Sequence, residues 1–157
     1  MITQERLKEL LTYHDDSGLF TRNINRGKYL KDSVAGNVSK DRYITIKLEG
    51  KVYPAHRLVW LYKHGTMPLN EIDHINHNRA DNKLENLRDV NRAINQQNKT
   101  VAHSNNKHGF LGVSFDIRAN KWYARINHKY LGIFKTAEEA HECYLNAKRQ
   151  LHEGCTI

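Results

Sequence analysis

Polar and apolar positions change their period several times along the chain, and each change predicts a new element. Thr3 can cap a helix, and Leu7, Leu10 and Leu11 then share one face, so a helix is expected from about Thr3 to Tyr13. Asp15-Asp16-Ser17-Gly18 is a turn, after which the period drops to two. Leu19–Thr21, Tyr43–Leu48 and Lys51–Tyr53 are rich in β-branched and aromatic residues and read as short strands. Glu49-Gly50 joins the last two as a tight hairpin turn, and the basic stretch 25–31 is a loop. Pro54 and Gly65 bracket a second, mostly apolar helix that carries Leu58, Val59, Leu61 and Tyr62. Leu87, Val90 and Ile94 recur at spacings of three and four, which predicts a third helix from near Leu84 to about Gln97.

Residues 99–108, KTVAHSNNKH, are polar and aperiodic, and they mark a linker. Beyond it Val113 and Phe115 alternate with Ser114 and Asp116, and Trp122, Ala124 and Ile126 alternate with Tyr123, Arg125 and Asn127. A third strand covers about 129–134. Thr136-Ala137-Glu138-Glu139 is a capping box, opening a helix striped by Ala137, Ala140, Tyr144, Ala147 and Leu151. The expected fold class is α+β. A first domain spans 1–98, a linker 99–108, and a three-stranded antiparallel sheet packed on one helix spans 109–157.

Composition narrows the partner. Twenty-five Lys and Arg face 17 Asp and Glu for a formal charge of +8, with ten histidines besides. That balance favours a polyanion, with nucleic acid ahead of an anionic membrane surface; the bland alternative is a merely basic surface. No apolar run approaches the roughly 18 residues of a membrane span, and charges interrupt MITQERLKELL too early for a signal peptide. No membrane partner is expected. Cys143 and Cys155 lie far apart and outside any C-x-x-C pattern, which argues against a zinc knuckle or a disulfide scaffold and fits the reducing cytoplasm.

Residues 71–98, EIDHINHNRADNKLENLRDVNRAINQQN, hold the chemistry. Asp73 and His74 stand together, and Asn86 and Asn95 follow. A carboxylate and amide oxygens suit one hard divalent cation, and an imidazole with a reference pKa of about 6.5 can take a proton from water near neutrality. Such a set suits phosphodiester hydrolysis. Neighbours on a strand point to opposite sides, so Asp73 and His74 need a local bend or a strand end to serve one site. The same residues could also be turn and cap residues. His56, Arg57 and His64 are either parts of a scaffold helix or phosphate contacts.

The order His56-Arg57-Leu58-Val59-Trp60, Ile72-Asp73-His74-Ile75-Asn76, Asp81-Asn82, Glu85-Asn86-Leu87-Arg88 and Asn95-Gln96-Gln97-Asn98 resembles the HNH family of ββα-metal endonucleases, especially its phage and intron-associated branch. The likeness extends over roughly residues 15–100. It implies that Asp73 is a metal ligand, His74 the general base, Asn86 the residue holding the loop that aims it, and Asn95 the second metal ligand. The ion implied is divalent, Mg²⁺ foremost and Mn²⁺ as the alternative. Where relatives carry glycine in an Asn-Gly turn this chain has His77, which reaches a left-handed conformation only at some cost.

Gly112-Val113, Lys121-Trp122-Tyr123-Ala124, Leu131-Gly132-Ile133-Phe134 and Thr136-Ala137-Glu138-Glu139-Ala140 resemble the DNA-binding domain of plant ethylene-response factors, a module also appended to phage HNH nucleases. The resemblance implies that the outer face of the sheet enters the major groove. From Lys99 to Lys135 seven basic residues oppose Asp116 alone. Arg118, Lys121, Tyr123, Arg125, Asn127, His128 and Tyr130 are the expected DNA contacts, with Trp122 in the core beneath. Ser114, Asp116 and His128 stand where the plant proteins have arginine, so the plant target sequence does not carry over.

The expected protein is a metal-dependent endonuclease acting on double-stranded DNA, a phage homing-type HNH nuclease or nickase working as a monomer or weak dimer. Two rivals stay open: a non-catalytic DNA-binding regulator that retains the HNH scaffold, and a nuclease directed at RNA.

Overall fold

The computed structural model describes residues 1–100, 102, 106 and 108–156, so parts of the expected linker fall outside the described residues. Two compact units divide the chain, Met1–Arg92 and Ala93–Ile157.

The first unit opens with α1 (Gln4–Leu10), and the Thr3 hydroxyl accepts from Arg6 N as its cap. The helix is shorter than its apolar spacing predicts. Leu11 begins β1 (Leu11–His14), which pairs antiparallel with β2 (Leu19–Arg22). Leu11 and Tyr13 are buried while Thr12 is exposed, so alternation takes over from the helical period at this point. Two further short strands, β3 (Val34–Ala35) and β4 (Asn37–Val38), carry too little sequence signal to predict. β3 completes the first sheet, and β4 pairs with the hairpin β5 (Ile44–Leu48) and β6 (Lys51–Pro54). Glu49 and Gly50 turn that hairpin with φ of 48° and 84°, the left-handed pair that a tight turn requires. α2 (Ala55–His64) follows and stops at Gly65, φ 78°, whose N–H returns to Leu61 O. Leu7, Leu11, Phe20, Ile46, Leu58 and Val59 are fully buried and form the centre of this core.

The expected helix over 84–97 does not form as one element. A 3₁₀ turn (Leu84–Asn86) leads into β8 (Leu87–Val90), which pairs antiparallel with β7 (Glu71–His74); only then does a short helix, α3 (Arg92–Gln97), begin. The three-residue spacing of Leu87 and Val90 fits a helical face. A strand ladder that sets Asp73 opposite Arg88 overrides it, because tertiary pairing outweighs a propensity of a few tenths of a kcal/mol per residue.

In the second unit, β9 (Val113–Asp116), β10 (Lys121–Ile126) and β11 (Lys129–Phe134) form an antiparallel sheet with β10 central. α4 (Ala137–Leu151) packs on it. Its capping box is complete: Thr136 Oγ1 accepts from Glu139 N at 3.2 Å, and Glu139 Oε2 accepts from Thr136 N at 3.3 Å. The buried stripe is Ala137, Ala140, Tyr144 and Lys148, while Leu151 is half exposed. The stripe therefore ends one turn earlier than apolarity predicts, on a lysine whose Nζ donates to Lys99 O at 2.5 Å. Gly112, at φ 74°, lies against Tyr144; a Cβ there would fall 2.0 Å from the ring, so only glycine fits. α3 belongs with this unit, and Gly154 N donates to Gln97 Oε1 at 3.1 Å. No helix among the described residues is long and apolar enough to cross a membrane.

Candidate active site

The hairpin of β7 and β8 fixes the acid and the base. Asp73 is 7% exposed, and its Oδ2 accepts from both Nε and Nη2 of Arg88, at 2.9 and 2.8 Å. His74 is 5% exposed and ends the strand opposite Leu87. The chain then turns, with His77 N donating to His74 O at 3.0 Å and His77 itself at φ 63°. Of the two placements open to the Asp-His pair, a local bend or a strand end, His74 takes the end of β7 with Asp73 one residue inside it, and His77 takes the left-handed conformation that glycine would accept at lower cost.

Asparagine and aspartate side chains tie down the loop that follows. Asn86 Oδ1 accepts from Asn76 N at 2.9 Å, and its Nδ2 donates to Asp81 O at 2.8 Å, bridging the start and end of the loop. Asn76 Nδ2 donates to Asp81 Oδ2 at 2.7 Å, and Asn76 Oδ1 accepts from Asn78 N at 2.9 Å. These are the local side-chain-to-backbone bonds that Asx residues favour over regular structure.

Asn82, fully buried, is the partner that spacing alone does not reveal. Its Oδ1 lies 3.2 Å from His74 Nε2, and its Nδ2 donates to Ala80 O at 3.3 Å. The second bond orients the carboxamide, so Oδ1 accepts from a protonated Nε2 and the basic lone pair resides on Nδ1. Tyr13 supports Asn82 from β1: its hydroxyl donates to Asn82 O at 3.0 Å and accepts from Leu84 N at 3.1 Å. Burial pushes the Tyr13 phenol up to about 12, so it remains a donor at all ordinary pH values.

Two aromatic rings also lie against the histidine. His56, on α2, meets His74 edge to face at a centroid distance of 5.2 Å, and Tyr43 lies 5.3 Å from His56 and 5.9 Å from His74. Burial lowers the pKa of His74, opposed by the Asn82 bond and by Asp73. His56 is pushed down to about 4, mainly by burial, with His74 and Arg57 adding to it. Both imidazoles are therefore neutral at pH 7. Between pH 6.5 and 4 the unfolded chain binds a proton at His56 that the folded chain refuses, so stability falls as pH falls across that window. A shift of this size is worth up to about 3 kcal/mol. Urea unfolding at pH 7.5 and 4.5 should show a smaller acid loss in His56→Gln than in the wild type; identical losses would remove His56 as the cause.

Asp73, His74 and Asn86 are gathered in the first unit, and Asn95 stands on α3 of the second. No group of three or more His, Cys, Asp or Glu among the described residues could hold a metal ion. Asp73 offers a carboxylate and Asn95 an amide oxygen, donor types that each suit a hard divalent ion. Arg57 donates to Asn70 O and Pro68 O and so braces the chain leading into β7.

In the second unit, Ser114, Tyr123 and Ile133 form one cross-strand row, and Arg125 pairs with Tyr130 in the next. The Arg125 guanidinium lies 5.0 Å from the centre of the Tyr123 ring. Lys121 is exposed opposite Asp116, whose Oδ1 accepts from Arg118 N and Ala119 N to make the following turn. Arg118 is exposed on that turn. Asn127 and His128, expected on the strand face, instead form the two-residue β10–β11 turn at φ of 46° and 64°. A register shift at Ala124/Arg125 reverses the alternation of β11, so Ile133 joins Tyr130 as an exposed apolar side chain. Trp122 packs into the core beneath, as expected.

Residues 53–97 match a family model described as HNH endonuclease, and the match supports nuclease activity at the family level. No curated protein and no solved structure gives a significant match to the chain.

Proposed function

We propose that this chain is a metal-dependent HNH endonuclease of the phage homing type that cuts double-stranded DNA. The observation that carries the reading is His74, buried at a strand end beside Asp73 with its Nε2 fixed by Asn82. His74 Nδ1 takes a proton from water, whose oxygen attacks phosphorus; the P–O3′ bond breaks, giving a 5′-phosphate and, after protonation, a 3′-hydroxyl. Asn86 and Asn82 hold the loop and the ring so that Nδ1 keeps one direction. Asp73 and Asn95 would hold the divalent ion, Mg²⁺ or Mn²⁺, which when bound offsets the charge that builds on the leaving oxygen. The sheet of the second unit, similar to that of ethylene-response factors, positions the enzyme through Arg118, Lys121, Tyr123, Arg125, Asn127, His128 and Tyr130. One site per chain nicks one strand, so double-strand cutting needs a second copy or a second binding event.

One observation favours the rival reading of a non-catalytic DNA-binding regulator: Arg88 already neutralises Asp73 without an ion. Supercoiled plasmid separates the two. An endonuclease relaxes or linearises it with Mg²⁺ or Mn²⁺, stops with EDTA, and leaves ligatable 5′-phosphate ends. Tight binding with no cutting in any divalent metal makes the chain a regulator, and preferential cutting of structured RNA would redirect the substrate assignment.

A further inference from the structure

The loop between β7 and β8 presents a second cation, Arg79, to the same site. We infer that Arg79 is a substrate-contacting residue that clamps a phosphate of the strand on which His74 acts; the inference rests on the endonuclease reading.

Two other arginines at the hairpin and the chain leading into it are spent on the protein itself. Arg88 gives Nε and Nη2 to Asp73, and Arg57 gives both Nη atoms to backbone carbonyls at 3.3 Å. Arg79 is exposed, and only Nη1 is engaged, donating to Asp41 O at 3.2 Å. A guanidinium carries five N–H donors, so most of its fork is left facing solvent among the described residues. It is nonetheless held in place. Its Cζ lies over the ring of Tyr43 at 4.9 Å, a cation–π contact that restrains the side chain.

Tyr43 is also what ties Arg79 to the chemistry. The same ring lies 5.9 Å from His74, so both the base and the cation lie against Tyr43. A pre-oriented guanidinium with open donors matches a phosphodiester oxygen pair in shape and charge, and a fixed cation next to attack stabilises the charge that develops there.

The test uses the full chain on supercoiled plasmid, comparing wild type with Arg79→Ala and Arg79→Lys under single-turnover conditions. Arg79→Ala should cut about 100-fold more slowly, with an unchanged melting temperature and plasmid binding reduced by far less than the rate. Arg79→Lys should recover part of the loss, since it restores charge without the fork. An Arg79→Ala enzyme as fast as wild type overturns the inference alone. So does a slow one whose melting temperature falls in step, since that makes Arg79 a prop for Tyr43. A wild type that binds plasmid and never cuts it removes the endonuclease reading and this inference together.

Discussion

Alanine at His74 should lower plasmid cleavage by about 10²–10⁴-fold, the range that a positioned general base contributes. Binding should stay near the wild-type level, because His74 is buried at the end of β7 and the exposed basic residues of the sheet are untouched. The pH profile gives the assignment a second handle. Burial lowers the His74 pKa, so the wild-type rate should rise along an acid limb set below the ordinary histidine range and be flat around neutrality. His74→Ala should lose that limb along with the rate. A variant that cuts as fast as wild type would mean that another group takes the proton.

Arg88→Ala has the largest expected effect on stability. Breaking a buried ion pair by removing one partner costs about 3–5 kcal/mol. The Arg88 side chain is 25% exposed against 8% for Asp73, which places this case toward the lower end of that range. The urea midpoint of the variant should fall accordingly at pH 7. Divalent metal then becomes informative. If Asp73 is a ligand, millimolar Mg²⁺ or Mn²⁺ should raise the midpoint of Arg88→Ala more than that of wild type, because the ion replaces the lost positive charge. No metal-dependent rise in either protein would argue that Asp73 serves only its arginine.

Elements with a complete local signal were legible in the sequence. The β5–β6 hairpin is written in Glu49-Gly50, α2 in its Pro54 and Gly65 ends, and α4 in its capping box. Where pairing at a distance decides, the local signal misleads. Leu11, Leu87 and Val90 have helical spacing, yet they sit in strands whose partners are Arg22, His74 and Glu71. The site shows the same division. Asp73 and His74 are recognisable as neighbours, but the groups that orient the histidine are not. Asn82 reaches it through a turn, Tyr13 reaches Asn82 from 69 residues away in the chain, and Tyr43 comes from just ahead of β5, outside the motif, while His56 lies in the motif with no spacing that shows its contact with His74. On the sheet of the second unit a single register shift exchanges the parity of β11, and it brings Ile133 to a surface where alternation placed none.

The pairing of β7 with β8 makes this site depend on arithmetic as well as on residue type. Asp73 meets Arg88 only because the chain between His74 and Leu87 has its present length. Delete one residue downstream of the loop while keeping the loop intact, and Asp73 faces Asp89, charge against like charge. Insert one, and it faces Leu87, a carboxylate against hydrocarbon. Either slip also strips Leu69 N and Asn70 N of the Asp89 oxygens that now accept from them. A point change in the loop leaves this register as it is, whereas a frame-preserving insertion or deletion shifts it. For this protein, variation in length should be purged far more strictly than variation in letters.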